Sequence, residues 1–178
     1  MNLDLAGPLS LLALGGLACA ALGAGAWRRR RATAAKRVAL DADGAVTREL
    51  DLTMRHGAKV FHDFEADGLG IDHIVVAAQG VFAVSTHDAV SPPRPDDGKP
   101  PTMVFDGHAL RSPSGSTEVP LQQADLQARE LTRWLTGQLG QMVVVTPVLA
   151  LPGWSVRHTG RSVVRVTGVQ GLRATLHA

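Results

Sequence analysis

The feature that most constrains this chain is an uncharged stretch of 23 residues near its amino terminus, Leu5–Trp27. As an α-helix it would extend roughly 34 Å, enough to cross a hydrocarbon layer of about 30 Å. Four arginines, Arg28–Arg31, follow it directly, whereas only Asp4 precedes it. Because basic residues beside a span stay in the cytoplasm, we predict a single-pass anchor in the plasma (inner) membrane. The amino terminus is then outside and the rest of the chain is cytoplasmic.

Two other interpretations of this segment are open. A cleaved signal peptide needs positive charge before a shorter apolar core, and the charge order here is the reverse. A buried helix of a soluble protein is the other. If the segment is an anchor, Arg28–Arg31 contacts anionic headgroups, so membrane lipid is the first expected partner.

The length of the chain allows this anchor and one ordinary domain. We predict an anchor over residues 1–27, a basic connector over 28–43 and one domain over 44–178. From Ala32 onward there are 14 Lys and Arg against 15 Asp and Glu. Tight binding to nucleic acid needs a basic face, and this overall charge gives no sign of one.

The strongest β-signal is a pair of apolar, β-branched runs, Ile71–Ala78 and Val81–Thr86. They flank Gln79 and Gly80, a pair typical of a hairpin turn. With that turn, facing residues have numbers that sum to 159.

This register has a consequence for the side chains. Asp72 then faces His87, Ile74 faces Ser85, and all four project from one side of the hairpin. His73 points to the opposite side.

Further patterns predict the elements around the hairpin. A helix begins at Pro120 and ends near Trp134 or Gln138. The apolar run Met142–Leu151 is typical of a central strand, although Pro147 interrupts it. We also predict a helix over Val46–His56, strands over Lys59–Glu65, Ser162–Val166 and Val169–Leu176, and a short strand pair that turns at Asp106-Gly107.

Three segments resemble the NERD family, the nuclease-related domain: IDHIVVAAQGVFAVSTHD (Ile71–Asp88), PLQQ (Pro120–Gln123) and VVVTPVLALPGW (Val143–Trp154). The first is the most specific, with Ile-Asp-His, six residues and then Gly-Val-Phe. The resemblance covers roughly residues 44–166. It implies an α/β fold of the restriction-endonuclease-like type, a mixed sheet with flanking helices, here preceded by one N-terminal transmembrane helix.

The resemblance also implies where a PD-(D/E)xK site would lie. The first hairpin strand of an active member supplies an Asp, which matches Asp72, and the second supplies Glu-x-Lys, which here reads Ser85-Thr86-His87. Gln123 lies near the site in the family arrangement. The carboxylates of such a site hold Mg²⁺ or Mn²⁺, and the lysine stabilises charge at the attacked phosphate.

Two of these matched positions have changed chemically. Ser85 removes a negative charge and a strong ligand, and His87 is mostly neutral near pH 7. An acidic residue of the family's first helix would fall at Gly44-Ala45, and Glu49 lies one turn further on. The resemblance therefore implies an impaired site, with Asp72 as its one metal ligand and Mg²⁺ or Mn²⁺ as the cofactor if it is active.

Other chemistries are less compatible with the sequence. Asp72 and His87 supply only two ligands for Zn²⁺. A Ser85–His87–Asp72 triad lacks the strained nucleophile elbow of hydrolases.

We therefore expect a membrane-anchored domain that binds nucleic acid or a protein partner. The alternatives are an active metal-dependent nuclease with a variant site, and a structural partner in a membrane complex.

Overall fold

The computed structural model describes residues 44–87 and 99–177. The predicted anchor and connector lie outside these residues. In the part of the chain that the structure describes, no helix is both long and apolar enough to span a bilayer.

Five strands form the main sheet, in the order β1-β2-β3-β7-β9. The first three are antiparallel neighbours, whereas β7 is parallel to β3, and β9 is parallel to β7. The strands are β1 (Lys59–Ala66), β2 (Leu69–Ala77), β3 (Gly80–Thr86), β7 (Val145–Ala150) and β9 (Arg165–Thr167).

Four shorter strands form a small sheet, in the order β6-β5-β4-β8. They are β4 (Thr102–Phe105), β5 (Leu110–Ser112), β6 (Gly115–Thr117) and β8 (Ser155–His158). Because β8 pairs with β4 across some fifty residues of sequence, this sheet depends on the rest of the fold. The predicted strand pair that turns at Asp106-Gly107 is confirmed as β4 and β5, whereas β6 and β8 were not predicted.

Helices cover both faces of the main sheet. Residues 44–54 are helical (α1), and α3 (Leu172–His177) follows a 3₁₀ turn, Val169–Gly171. Leucines of α1 and α3 pack with Val75, Phe82 and Val84 on one face.

The other face is covered by α2 (Val119–Leu139), which has Pro120 at its amino end as predicted. Ala128 and Leu131 pack there on Ile74, Ala83 and Val145. The first turns of α2 pack instead on the small sheet.

The hairpin of β2 and β3 is confirmed, but its predicted register is wrong. Val76 pairs with Val81 and Ala77 pairs with Gly80, so facing numbers sum to 157 and the turn is Ala78-Gln79. Gly80 has a φ of 141°, a backbone conformation that favours glycine, and it is the first residue of β3 instead of a turn residue. The continued register brings Ser85, not His87, opposite Asp72.

The predicted strand over Val169–Leu176 is also wrong, because these residues form the 3₁₀ turn and α3. Leu172 and Leu176 are both buried against α1. They are four residues apart, a spacing that places two side chains on one face of a helix. The predicted strand Met142–Leu151 is confirmed as an interior strand over Val145–Ala150, which continues through Pro147, whereas residues 142–144 precede it as loop.

Candidate functional site

Asp72 lies where the regular pairing between β1 and β2 is interrupted. Pairs between β1 and β2 flank this point on both sides, so that Asp63, with a φ of 49°, lies opposite Asp72 without a ladder pair. Ile71 and Ile74 pack in one cluster although an unbroken strand would place them on opposite faces. The regular alternation behind the predicted common face is therefore broken at Asp72.

The carboxylate of Asp72 is engaged with the backbone of β3. Its Oδ2 accepts a hydrogen bond of 2.8 Å from the N–H of Thr86. This bond ties the start of β2 to the end of β3 and uses one of the roughly four lone-pair sites of the carboxylate. The hydroxyl of Thr86 is buried and has no hydrogen-bond partner among the described residues.

Ser85, at the family's glutamate position, is buried, with 7% of its surface exposed. Its hydroxyl donates a hydrogen bond of 2.5 Å to Oε1 of Gln127 on α2. Gln127 in turn donates from Nε2 to the carbonyl of Gly70, at 3.0 Å. Ser85 and Gln127 thus connect β3, α2 and β2 through neutral groups.

His87 follows the last residue of β3 and is half-buried. Its backbone N–H donates to the carbonyl of Ala150 at the end of β7, at 3.0 Å. Since the one hydroxyl proton of Ser85 is donated to Gln127, it is not donated to His87. A serine–histidine–aspartate relay is therefore not formed by Ser85, His87 and Asp72.

Two other residues considered from the sequence lie elsewhere. Gln123 is exposed on α2, one helical turn before the Gln127 that contacts Ser85. Glu49 on α1 accepts a hydrogen bond from Arg173 of α3, at 3.1 Å. The carboxylate of Glu49 is therefore used to hold two helices together.

A pair of histidines lies next to Asp72 and was not predicted from the sequence. His73 of β2 is 1% exposed, and its Nδ1 is 3.0 Å from Nδ1 of His62 on β1. Nε2 of His62 is 3.3 Å from Oδ1 of Asp51 on α1. If Nε2–H of His62 donates to Asp51, then Nδ1 of His62 accepts a hydrogen bond from Nδ1–H of His73. These bonds connect α1 with β1 and β2.

The donor set around Asp72 does not fit the divalent ion of an active nuclease. Mg²⁺ and Mn²⁺ prefer several oxygen ligands, usually with more than one carboxylate. Within residues 44–87 and 99–177, no three His, Cys, Asp or Glu side chains are grouped closely enough to hold a metal ion. Ser85 and Gln127 bond to each other where the second carboxylate of the family would be.

These features define a class: an α/β domain of the restriction-endonuclease-like type, with a mixed central sheet and flanking helices. The family model described as nuclease-related domain (NERD) matches residues 41–152, more than half of the chain. The chain therefore belongs to the NERD family, which is part of the restriction-endonuclease-like superfamily. Neither a curated protein nor a solved structure matches it.

Of the residues proposed from the sequence, the structure brings Asp72, Ser85 and His87 together at one end of the hairpin. Gln127 was not predicted. The sequence does contain a signal for it, because Gln127 is next to Ala128 on the buried face of α2 and one helical turn after Gln123. The pairing of His62 with His73 had no signal in the local sequence, because it depends on the register between β1 and β2.

Proposed function

We propose that this chain is a membrane-anchored NERD protein whose nuclease site has lost efficient cleavage and which acts by binding nucleic acid or a protein partner. The anchor is Leu5–Trp27, and Arg28–Arg31 holds it to the cytoplasmic headgroups. This part of the proposal is supported by the length of the apolar stretch and by the order of charges around it.

One observation carries the loss of cleavage. The family's glutamate position is a serine whose hydroxyl is bonded to Gln127, and the remaining carboxylate, on Asp72, accepts a backbone hydrogen bond. Phosphodiester cleavage by this superfamily relies on a metal ion that activates water and neutralises charge at the phosphate. A single carboxylate beside neutral groups provides neither the ligand number nor the charge.

The test is a nuclease assay on the full-length chain in neutral detergent, with labelled single- and double-stranded DNA and RNA and with Mg²⁺ or Mn²⁺. We expect no cleavage above that of the Asp72→Asn variant, which keeps an oxygen to accept from Thr86. Cleavage that disappears in this variant would contradict the proposal.

The competing function is an active nuclease with a variant site, and one observation favours it. Asp63 lies opposite Asp72 in the strand register and would be the second carboxylate. Asp63→Asn in the same assay separates the two functions. An active enzyme of this kind loses its cleavage in both variants, whereas a background contaminant loses it in neither.

A further inference from the structure

Charge is distributed unevenly along the chain. Residues 131–178 contain five arginines and two histidines and no Asp or Glu. The nearly neutral balance of the domain therefore hides a basic carboxyl-terminal part. Its elements β8, β9 and α3 lie beyond residue 152, where the match to the NERD family ends.

These elements border a groove between the two sheets, which we call the β8–β9 groove. β8 is an edge strand of the small sheet and β9 is an edge strand of the main sheet. Two clefts, of about 460 and 410 Å³, adjoin each other there and have His158 and Thr167 in common as lining residues. Among the described residues that line them, none is an aspartate or a glutamate.

The polar groups of the groove match an anion. Arg161, His158 and Ser162 line one cleft and are exposed, and Arg161 has no ion pair with any described residue. Arg165 is fixed there, because it donates to the carbonyl of Thr175 at 2.7 Å and lies over the ring of Phe82 at 5.6 Å. A guanidinium has five N–H donors, so Arg165 keeps others for a ligand. Guanidinium groups bind phosphate oxygens in a planar, two-bond geometry.

The loop that carries Arg161 is held close to the β4–β5 turn. A Cβ on Gly160 would collide with the carbonyl of Asp106, and one on Gly107 would lie 2.6 Å from the carbonyl of Arg161. The N–H of Thr159 donates to Phe105 at 2.8 Å. Backbone packing thus fixes the main chain at Arg161 and holds this residue at the cleft.

The groove and the family's nuclease position both lie at the end of the main sheet where strands β3, β7 and β9 terminate. Thr86 at the end of β3 pairs with Ala150 of β7, and Ala150 pairs with Thr167 of β9. With neighbouring strands about 4.8 Å apart, Thr86 and Thr167 are roughly 10 Å from each other. An extended polymer bound at one of these places therefore reaches the other.

We propose that the β8–β9 groove binds the phosphodiester backbone of a nucleic-acid strand, with Arg161 and Arg165 on phosphate oxygens. The inference rests on the nucleic-acid branch of the proposed function, and it identifies the surface that would bind the nucleic acid. A polymer of phosphates matches two adjoining clefts whose described lining residues include no carboxylate. The sequence analysis found no sign of a basic face because it used the summed charge of the domain, in which a local basic groove does not show.

The test measures binding of labelled DNA and RNA oligonucleotides to the full-length chain in neutral detergent, by fluorescence anisotropy at several salt concentrations. Arg161→Glu is compared with Arg133→Glu, which makes the same change of charge on the exposed side of α2, where Arg133 forms an ion pair with Glu130 at 3.9 Å. We expect Arg161→Glu to raise the Kd roughly tenfold and to reduce the salt slope by about 1. Arg133→Glu stays within roughly twofold, because charges beyond the Debye length of about 8–10 Å are screened.

A second variant, Ser162→Glu, adds a carboxylate to the same cleft while Arg161 stays in place, and we expect it to weaken binding in the same direction. Equal weakening by Arg161→Glu and Arg133→Glu would overturn the groove and leave only a general charge effect. Unchanged nucleic-acid binding, with loss of binding to anionic lipid vesicles in Arg161→Glu, would also overturn it.

The outcomes separate the two proposals. A wild-type chain that binds nucleic acid as tightly as Arg161→Glu retains the proposed function but refutes the groove. A wild-type chain that binds no nucleic acid refutes both the groove and the nucleic-acid branch. Cleavage dependent on Asp72 refutes the loss of activity, whatever the effect of Arg161→Glu.

Discussion

At the residue scale, a serine in place of glutamate changes the neighbours as well as the ligand. The amide of Gln127 is oriented by the carbonyl of Gly70, which only accepts hydrogen bonds, so Nε2 must face Gly70 and Oε1 must face Ser85. An acceptor in that place suits a hydroxyl and repels a carboxylate. Gln127 and Ser85 are therefore chemically matched to each other, and a glutamate at position 85 would leave two acceptors facing each other.

This match predicts the effect of shortening Gln127. Gln127→Ala removes the acceptor of the buried Ser85 hydroxyl and the donor to Gly70. We expect the free energy of unfolding to fall by about 1–3 kcal/mol, the typical range for a buried polar group left without its partner. Gln123→Ala is the matched control on the same helix and is expected to change it by less than about 0.5 kcal/mol, because Gln123 is exposed. Urea denaturation measures both, and equal effects would refute the role of Gln127.

A second residue-scale prediction concerns pH. The N–H of Ala109, the N–H of His108 and the guanidinium of Arg111 hydrogen-bond to Asp106 and hold its pKa far below its usual range. Because the pKa is depressed in the folded state, the stabilisation is full above the unfolded value of about 3.9 and is lost as pH falls below it.

Thermal unfolding of Asp106→Ala tests this pH dependence. The Tm of the variant should be below that of the wild type at pH 7, and the difference should shrink as the pH falls below about 4. A constant difference from pH 7 to pH 3 would show that the charge of Asp106 contributes nothing.

At the scale of the elements, the sequence predicted those elements whose contacts are local. The β2–β3 hairpin has two β-branched runs joined by a short turn, and α2 has Pro120 at its start and a regular apolar face. The register was missed because Gly80 pairs with Ala77 as a strand residue, a choice between two adjacent turns that the sequence left open. The small sheet was largely missed because its strands are three or four residues long and β4 pairs with the distant β8.

The junction between the β4–β5 turn and the loop after β8 gives a prediction at this scale. Gly160→Ala places a methyl group against the carbonyl of Asp106. The atoms in its way belong to the backbone, so they cannot move aside as a flexible side chain would. We expect the free energy of unfolding to fall by about 1–3 kcal/mol, as for other overpacked sites. Gly137→Ala on α2 is the control, since nothing lies within 4 Å of its added Cβ. Equal stability of the two variants would show that the junction is loose.

At the scale of the whole molecule, the candidate site contains some residues that the sequence predicts and others that only the folded structure brings together. The resemblance to the nuclease-related domain located Asp72, Ser85 and His87 because they lie within one continuous segment. Gln127, His62 and the β8–β9 groove depend on contacts between distant parts of the chain. The basic groove is hidden in the summed charge, because acidic residues of the first 130 positions cancel it in the count.

We propose above all that the nuclease position no longer holds a divalent ion. Mn²⁺ binding to the full-length chain, followed by the EPR signal of the free ion, tests it most directly when the wild type is compared with Asp72→Asn. We predict that the two titrations coincide. A Mn²⁺ site that is present in the wild type and lost in Asp72→Asn would contradict it and would restore the active nuclease as the function.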